Sequence, residues 1–124
     1  MSQESPYKGK VGLQRLLNAL RYSAAGLKAA YACEDAFRQE AILSAVLLVA
    51  SIFLPVNGLE RAVMIASVLL VLIVELLNSA VEATVDRVSL ESHRLSKRAK
   101  DIGSAAVLIA LVNVAVVWAS ILIH

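Results

Sequence analysis

Between residues 75 and 86 the sequence reads ELLNSAVEATVD, and five of its polar members recur at helical spacing. Asn78, Ser79, Glu82 and Asp86 follow Glu75 by 3, 4, 7 and 11 residues. At 3.6 residues per turn these five positions fall within about 100° of one another, so one helical face is polar and the others are mostly apolar. Such a stripe can carry protons or ions, or form a site for metal and proton chemistry. A charged residue inside a bilayer costs about 2.5–3.5 kcal/mol on insertion scales. Two carboxylates two turns apart therefore need either a function or a polar seam between helices.

Depth narrows the choice. Asp86 and Arg87 open a charged stretch that runs to Asp101. Counting back at 1.5 Å per residue, Glu82 is about 6 Å and Glu75 about 16 Å deeper than Asp86. One end of the stripe is within reach of a water-soluble reactant and the other within reach of a lipid head. The following loop, SLESHRLSKRAKD, adds Glu91, His93, Lys97, Arg98, Lys100 and Asp101 near the mouth. Its lysines and arginines can hold phosphate through charge-assisted hydrogen bonds. The sequence has no GxxxxGK[ST], no GxGxxG and no kinase catalytic-loop pattern, so known soluble nucleotide-binding loops are excluded. Without HExxH or a Cys/His set, zinc is not indicated. Phosphate handled here calls for carboxylate-held magnesium and basic side chains, since magnesium is bound through one or two carboxylates plus substrate phosphates.

The elements that must position these groups are long apolar helices. The chain has 124 residues, enough for one domain, and 59% are apolar, against about 45–50% in soluble domains. Aromatics are only 5%. Residues 1–10 read as a disordered tail, and 11–33 as an amphipathic surface helix. Leu13, Leu16, Leu17, Leu20 and Leu27 share one broad face of that helix, with Arg15, Arg21 and Lys28 in polar surroundings. Transmembrane helices are predicted over 34–56, 59–86 and 101–123, with a turn at Pro55, Asn57 and Gly58. The fold class is thus all-α and membrane-integral, a surface helix plus three spans. Cys33 is the sole cysteine, which excludes an intrachain disulfide. The first forty residues carry no apolar core segment of a secretory leader.

Charge gives the orientation. Of twelve Lys and Arg, six precede Ala41 and five lie between Asp86 and Asp101, leaving only Arg61. With three spans, the two basic clusters share a side, and the positive-inside rule makes that side cytoplasmic and the C-terminus periplasmic. No basic helix interleaved with aromatics points to nucleic acid.

VELLNSAVEATVDR (Val74–Arg87) followed by LSKRAKDIGSAAVLIA (Leu95–Ala110) resembles the small bacterial membrane-integral diacylglycerol kinases. RYSAAGLKAAY (Arg21–Tyr31) and EDAFRQE (Glu34–Glu40) fit the same family, so the likeness runs from about Arg15 nearly to the end. It implies transfer of the ATP γ-phosphoryl group to diacylglycerol, giving phosphatidate, in phospholipid metabolism and lipid recycling at the bacterial inner membrane. It also implies a homotrimer whose sites are shared between subunits at the cytoplasmic interface. Carried over by residue, Glu75 is the general base, Asn78 orients it, and Lys100 stabilises transferred charge. Glu34 and Glu82 hold Mg2+ against the ATP phosphates. Arg15, Tyr22, Glu91, His93, Lys100 and Asp101 complete the nucleotide site. Lipid contacts fall to Arg15, Ser23, Lys28, Gln39, Glu40, Arg61, Glu75 and Ser104. Asp35 puts a second acid beside Glu34. The related undecaprenol kinases share the E-x-x-N-[ST]-A-x-E run, which makes a polyprenol the rival substrate. A small proton-coupled transporter and a structural subunit of a larger membrane complex are the rivals from other classes.

Overall fold

The computed structural model describes residues 8–88 and 94–123. Four helices follow one another: α1 (Lys8–Cys33), α2 (Asp35–Phe53), α3 (Gly58–Val88) and α4 (Arg94–Ile123). Among the described residues there is no strand. Three helices, α2, α3 and α4, are long and apolar enough to cross a membrane. Residues 1–7 of the expected tail lie outside the described residues, and α1 begins at Lys8.

α1 carries its leucines on a face that the other described elements leave largely uncovered. Leu13, Leu16, Leu17, Leu20 and Leu27 stay 47–60% exposed. An amphipathic helix left bare in this way is suited to the headgroup–acyl boundary. It meets α2 through a one-residue break. Glu34 is extended, at φ −116° and ψ 107°, between two helices and makes no side-chain cap. The break is held by Arg38 from the first turns of α2. Its Nε donates to the Tyr31 carbonyl at 3.0 Å and its Nη2 to the Ala32 carbonyl at 3.1 Å. Its Nη1 reaches Asp35 Oδ1 at 2.9 Å, and the guanidinium lies 5.7 Å from the centre of the Tyr31 ring. The last carbonyls of α1, which have no helical partner, are thus met by a fixed cation.

The α2–α3 turn is closed by side chains as well. Asn57 Oδ1 accepts from the Glu60 N–H at 2.8 Å while Glu60 Oε1 accepts from the Asn57 N–H at 3.0 Å. This reciprocal pair is a capping box. Arg61 folds back over the turn and donates to the carbonyls of Ser51, Leu54 and Val56 at 2.8, 3.1 and 3.2 Å. In a membrane these carbonyls have little water to turn to, so the guanidinium is their substitute.

α3 is the central element, packed most extensively on α4 and then on α2. Its buried face is Met64, Ser67, Val68, Val71 and Glu75. Ala110 of α4 and Phe37 of α2 complete a narrow core. Small and hydroxyl residues permit the close approach, as membrane helix interfaces require. Ser51 and Ser67 return their hydroxyls to carbonyls of their own helices at 2.7 Å. Trp118 Nε1 of α4 reaches the Met64 carbonyl at 3.3 Å and Ser67 Oγ at 3.2 Å. The outward faces are apolar: Val46, Ile52, Ile73, Leu108, Ile109 and Val116 are all more than half exposed.

Helix lengths set the level of the site. α2 has 19 residues and α3 has 31, or about 28 and 46 Å at 1.5 Å per residue. With the α2–α3 turn at one boundary of a ~30 Å hydrocarbon core, α2 just spans it and α3 overshoots by about three turns. Glu75 then lies about 26 Å from the turn and Glu34 about 28 Å, both at the opposite boundary. The overshooting ends of α3 and α4 carry Asp86, Arg87, Arg94, Lys97 and Lys100.

Candidate active site

The acidic stripe of α3 faces the protein. Glu75 is buried at 5% exposure, and Asn78, Ser79 and Glu82 are half-buried. They line a cleft of about 240 Å³ whose other walls are Glu34 and Ala36 from the α1–α2 break and Ser104 and Val107 from α4. Three separate elements therefore bring Glu34, Glu75, Asn78, Glu82 and Ser104 together, though they span 70 residues of sequence (Glu34 to Ser104). Glu34 enters because its own backbone is extended. A helical residue there would carry its carboxylate around the α1–α2 axis, whereas the break aims it at α3.

Charge converges on this cleft. Glu75 feels the carboxylates of Glu34, Glu40 and Glu82, and among the described residues none of these four forms an ion pair. No group of three or more ligating side chains is built among the described residues. Two carboxylates with open positions are the donor set expected for magnesium that keeps substrate phosphates as further ligands. Glu34 and Glu82 are carboxylates on the walls of one cleft.

A second, apolar groove of about 540 Å³ runs between α1 and α3. Ser23, Gly26, Leu27, Ala30, Cys33, Leu76 and Ala80 are among its walls, and it shares Glu34 and Ser79 with the acidic cleft. The apolar groove thus adjoins the acidic cleft at Glu34 and Ser79. Above it, Arg94, Lys97, Arg98 and Asp101 line a basic hollow with Ile102 and Ala105. Lys100 Nζ bridges to Asp86 Oδ1 at 2.6 Å, joining the overshooting ends of α3 and α4. Lys97 pairs with Asp101 at 2.7 Å.

The remaining expected residues are dispersed. Arg15, Tyr22 and Lys28 are exposed on α1, with Tyr22 at 70%. Gln39 is exposed, and Glu40 is half-buried beside Ser44, Val68, Val71 and Leu111. Arg61 is not brought to the cleft: it lies 14 residues before Glu75, about 21 Å along α3. Glu91 and His93 lie outside the described residues. Two residues not singled out by type or spacing emerge here. Arg38 holds the break that aims Glu34, and Gly103 lies against the Asn78 side chain. The available signal for Gly103 was an isolated glycine in a helical pattern, which marks a packing reason.

Comparison with known proteins is decisive. Residues 21–122 match the family model described as prokaryotic diacylglycerol kinase. The chain belongs to that family. It is 60% identical over 119 residues to a diacylglycerol kinase of Pseudomonas aeruginosa, covering 96% of this chain and 97% of that one. Its identity to the Haemophilus influenzae diacylglycerol kinase is 52% over 111 residues, covering 90% and 94% of the two chains. For the Escherichia coli K12 protein it is 49% over 111 residues, covering 90% and 91%. As a member of the diacylglycerol kinase family the chain is a lipid kinase of a bacterial membrane. The transporter and structural-subunit readings of the acidic stripe fall away.

Proposed function

We propose that this diacylglycerol kinase transfers the γ-phosphoryl group of ATP to the free hydroxyl of diacylglycerol at the cytoplasmic face of the inner membrane, giving phosphatidate and ADP. The observation that carries the reading is the junction of an apolar groove with a carboxylate cleft at one membrane boundary. The acyl chains occupy the groove between α1 and α3, which Ser23 lines, with Lys28 exposed on the same helix. The hydroxyl is thereby held at Glu75 and Ser104.

Glu75 accepts the hydroxyl proton as the oxygen forms its bond to the γ-phosphorus. The bond from that phosphorus to the β–γ bridging oxygen breaks, ADP leaves with the electron pair, and Glu75 returns its proton to solvent. Asn78, one turn along α3, orients the Glu75 carboxylate. Phosphoryl transfer depends on positioning and charge neutralisation more than on covalent chemistry. Lys100, at the rim, supplies positive charge to the transferred group. Glu34 and Glu82 would hold Mg2+, which would neutralise phosphate charge when bound. Arg15, Tyr22, Glu91, His93 and Asp101 bind the nucleotide. Gln39 and Glu40 are assigned to lipid contact, whereas Arg61 is held on the carbonyls of the α2–α3 turn.

The site is shared within a homotrimer. Supporting this are the bare apolar faces of α2 and α4 and the exposure of Arg15 and Tyr22, which leaves them available to a neighbouring copy. The Lys/Arg bias supports a cytoplasmic N-terminus and a periplasmic C-terminus.

The test is a competition in mixed micelles. Purified protein with ATP and magnesium is offered diacylglycerol and undecaprenol side by side, and labelled products are separated. Phosphatidate is expected as the main product. Phosphorylated undecaprenol as the main product would move the assignment to the polyprenol kinases.

A further inference from the structure

Four glycines lie among the residues whose side-chain surroundings are described, and three of them are in open space. A Cβ added to Gly12, Gly26 or Gly58 meets nothing within 4 Å. Gly103 differs. A Cβ there would collide with Asn78 Oδ1, and the three nearest heavy atoms all belong to the Asn78 side chain, with Cγ next at 3.2 Å. This is not the backbone-to-backbone approach that small residues usually permit between membrane helices. The space of the missing Cβ is filled by one functional amide.

The same oxygen is also unusual electrostatically. Asn78 Oδ1 is buried and has no hydrogen-bond donor among the described residues. A buried acceptor gives up its water without compensation, so this orientation of the amide is not held by a hydrogen bond of its own. It is held by shape. Oδ1 is the end of the amide taken up at Gly103, and Asn78 is a wall of the cleft that also holds Glu75 and Glu82.

We propose that Gly103 is a positioning residue of the kinase: the absent side chain on α4 is the seat that aims the Asn78 amide at the Glu75 carboxylate. The inference rests on the reading of Glu75 and Asn78 as catalytic machinery. It has a distinctive consequence, because the obstructed atom is the far end of a rotatable side chain. In Gly103→Ala the amide swings away while the helices stay packed. Alanine is also the better helix former, so the fold does not weaken.

Two measurements test this. The chain has four asparagines, Asn18, Asn57, Asn78 and Asn113. In full-length protein labelled with 15N at asparagine, the Asn78 side-chain cross-peaks are identified by their loss in Asn78→Ala. Gly103→Ala is expected to shift the Asn78 pair and leave the other three in place. In the micelle assay it is expected to lower kcat at least tenfold, with KM for ATP and diacylglycerol within twofold and an unchanged melting temperature. An unmoved Asn78 amide would overturn the proposal. So would a normal kcat, or a fall in melting temperature with turnover per folded protein retained. The underlying reading fails separately: full kcat in Asn78→Ala removes Asn78 from the chemistry, whatever Gly103→Ala does.

Discussion

Replacing Glu75 by Gln keeps the side-chain shape and a hydrogen-bonding head but removes the base. Glu75 is buried at 5% exposure in a cleft with two other carboxylates, Glu34 and Glu82. Its only role on the proposed path is to take the hydroxyl proton. General-base help is worth about 10²–10⁴-fold in rate, which at 1.36 kcal/mol per decade is roughly 2.7–5.4 kcal/mol of barrier. Turnover should fall by that factor, with KM for ATP nearly unchanged because the nucleotide is held by other residues. Stability moves the other way. The variant loses a charge that faces three like charges and has no cationic partner among the described residues. Its detergent-solubilised melting temperature should therefore equal or exceed that of the parent. The assay is steady-state kcat in mixed micelles beside a thermal melt on the same preparation. If Glu75→Gln melts lower yet keeps turnover per folded protein within threefold, Glu75 is an architectural residue and the catalytic reading of the stripe is wrong.

Glu34→Gln and Glu82→Gln should each raise the magnesium concentration needed for half-maximal rate and cut turnover strongly without dissociating the proposed trimer; unaltered magnesium dependence in Glu82→Gln would remove it as a ligand. Arg61→Ala should cost about 1–3 kcal/mol for each carbonyl left buried and unsatisfied, seen as a lower melting temperature. A raised KM for diacylglycerol at unchanged stability would instead make Arg61 a lipid contact. A reporter enzyme fused after His124 should behave as periplasmic, and cytoplasmic activity there would break the span count.

The three apolar spans were legible from residue types alone. Apolar runs of membrane length and the grouping of lysines and arginines are properties of the chain taken one segment at a time. The acidic face was equally legible, because Glu75, Asn78, Ser79, Glu82 and Asp86 share one helix and 3.6-residue periodicity aligns them. The family, too, was readable in the E-x-x-N-[ST]-A-x-E run and the RAKDIGSAAV stretch.

Contacts between helices were not readable in this way. Glu34 and Glu75 are 41 residues apart, and no local pattern says that a single extended residue at 34 turns its carboxylate toward α3. That depends on Arg38 capping α1 from α2, a contact between side chain and backbone across a break. The level of Glu75 changed meaning as well. Counted from Asp86 it looked deep, yet α3 is longer than a ~30 Å core, and counted from the α2–α3 turn Glu75 falls near the opposite boundary. Gly103 is the clearest case. By itself a glycine says only that a side chain is missing, and only packing α4 on α3 decides that the missing side chain makes room for Asn78. Periodicity and composition act along one helix and are written in its sequence. Which faces meet, and at what height, is set by the fit of all the helices together.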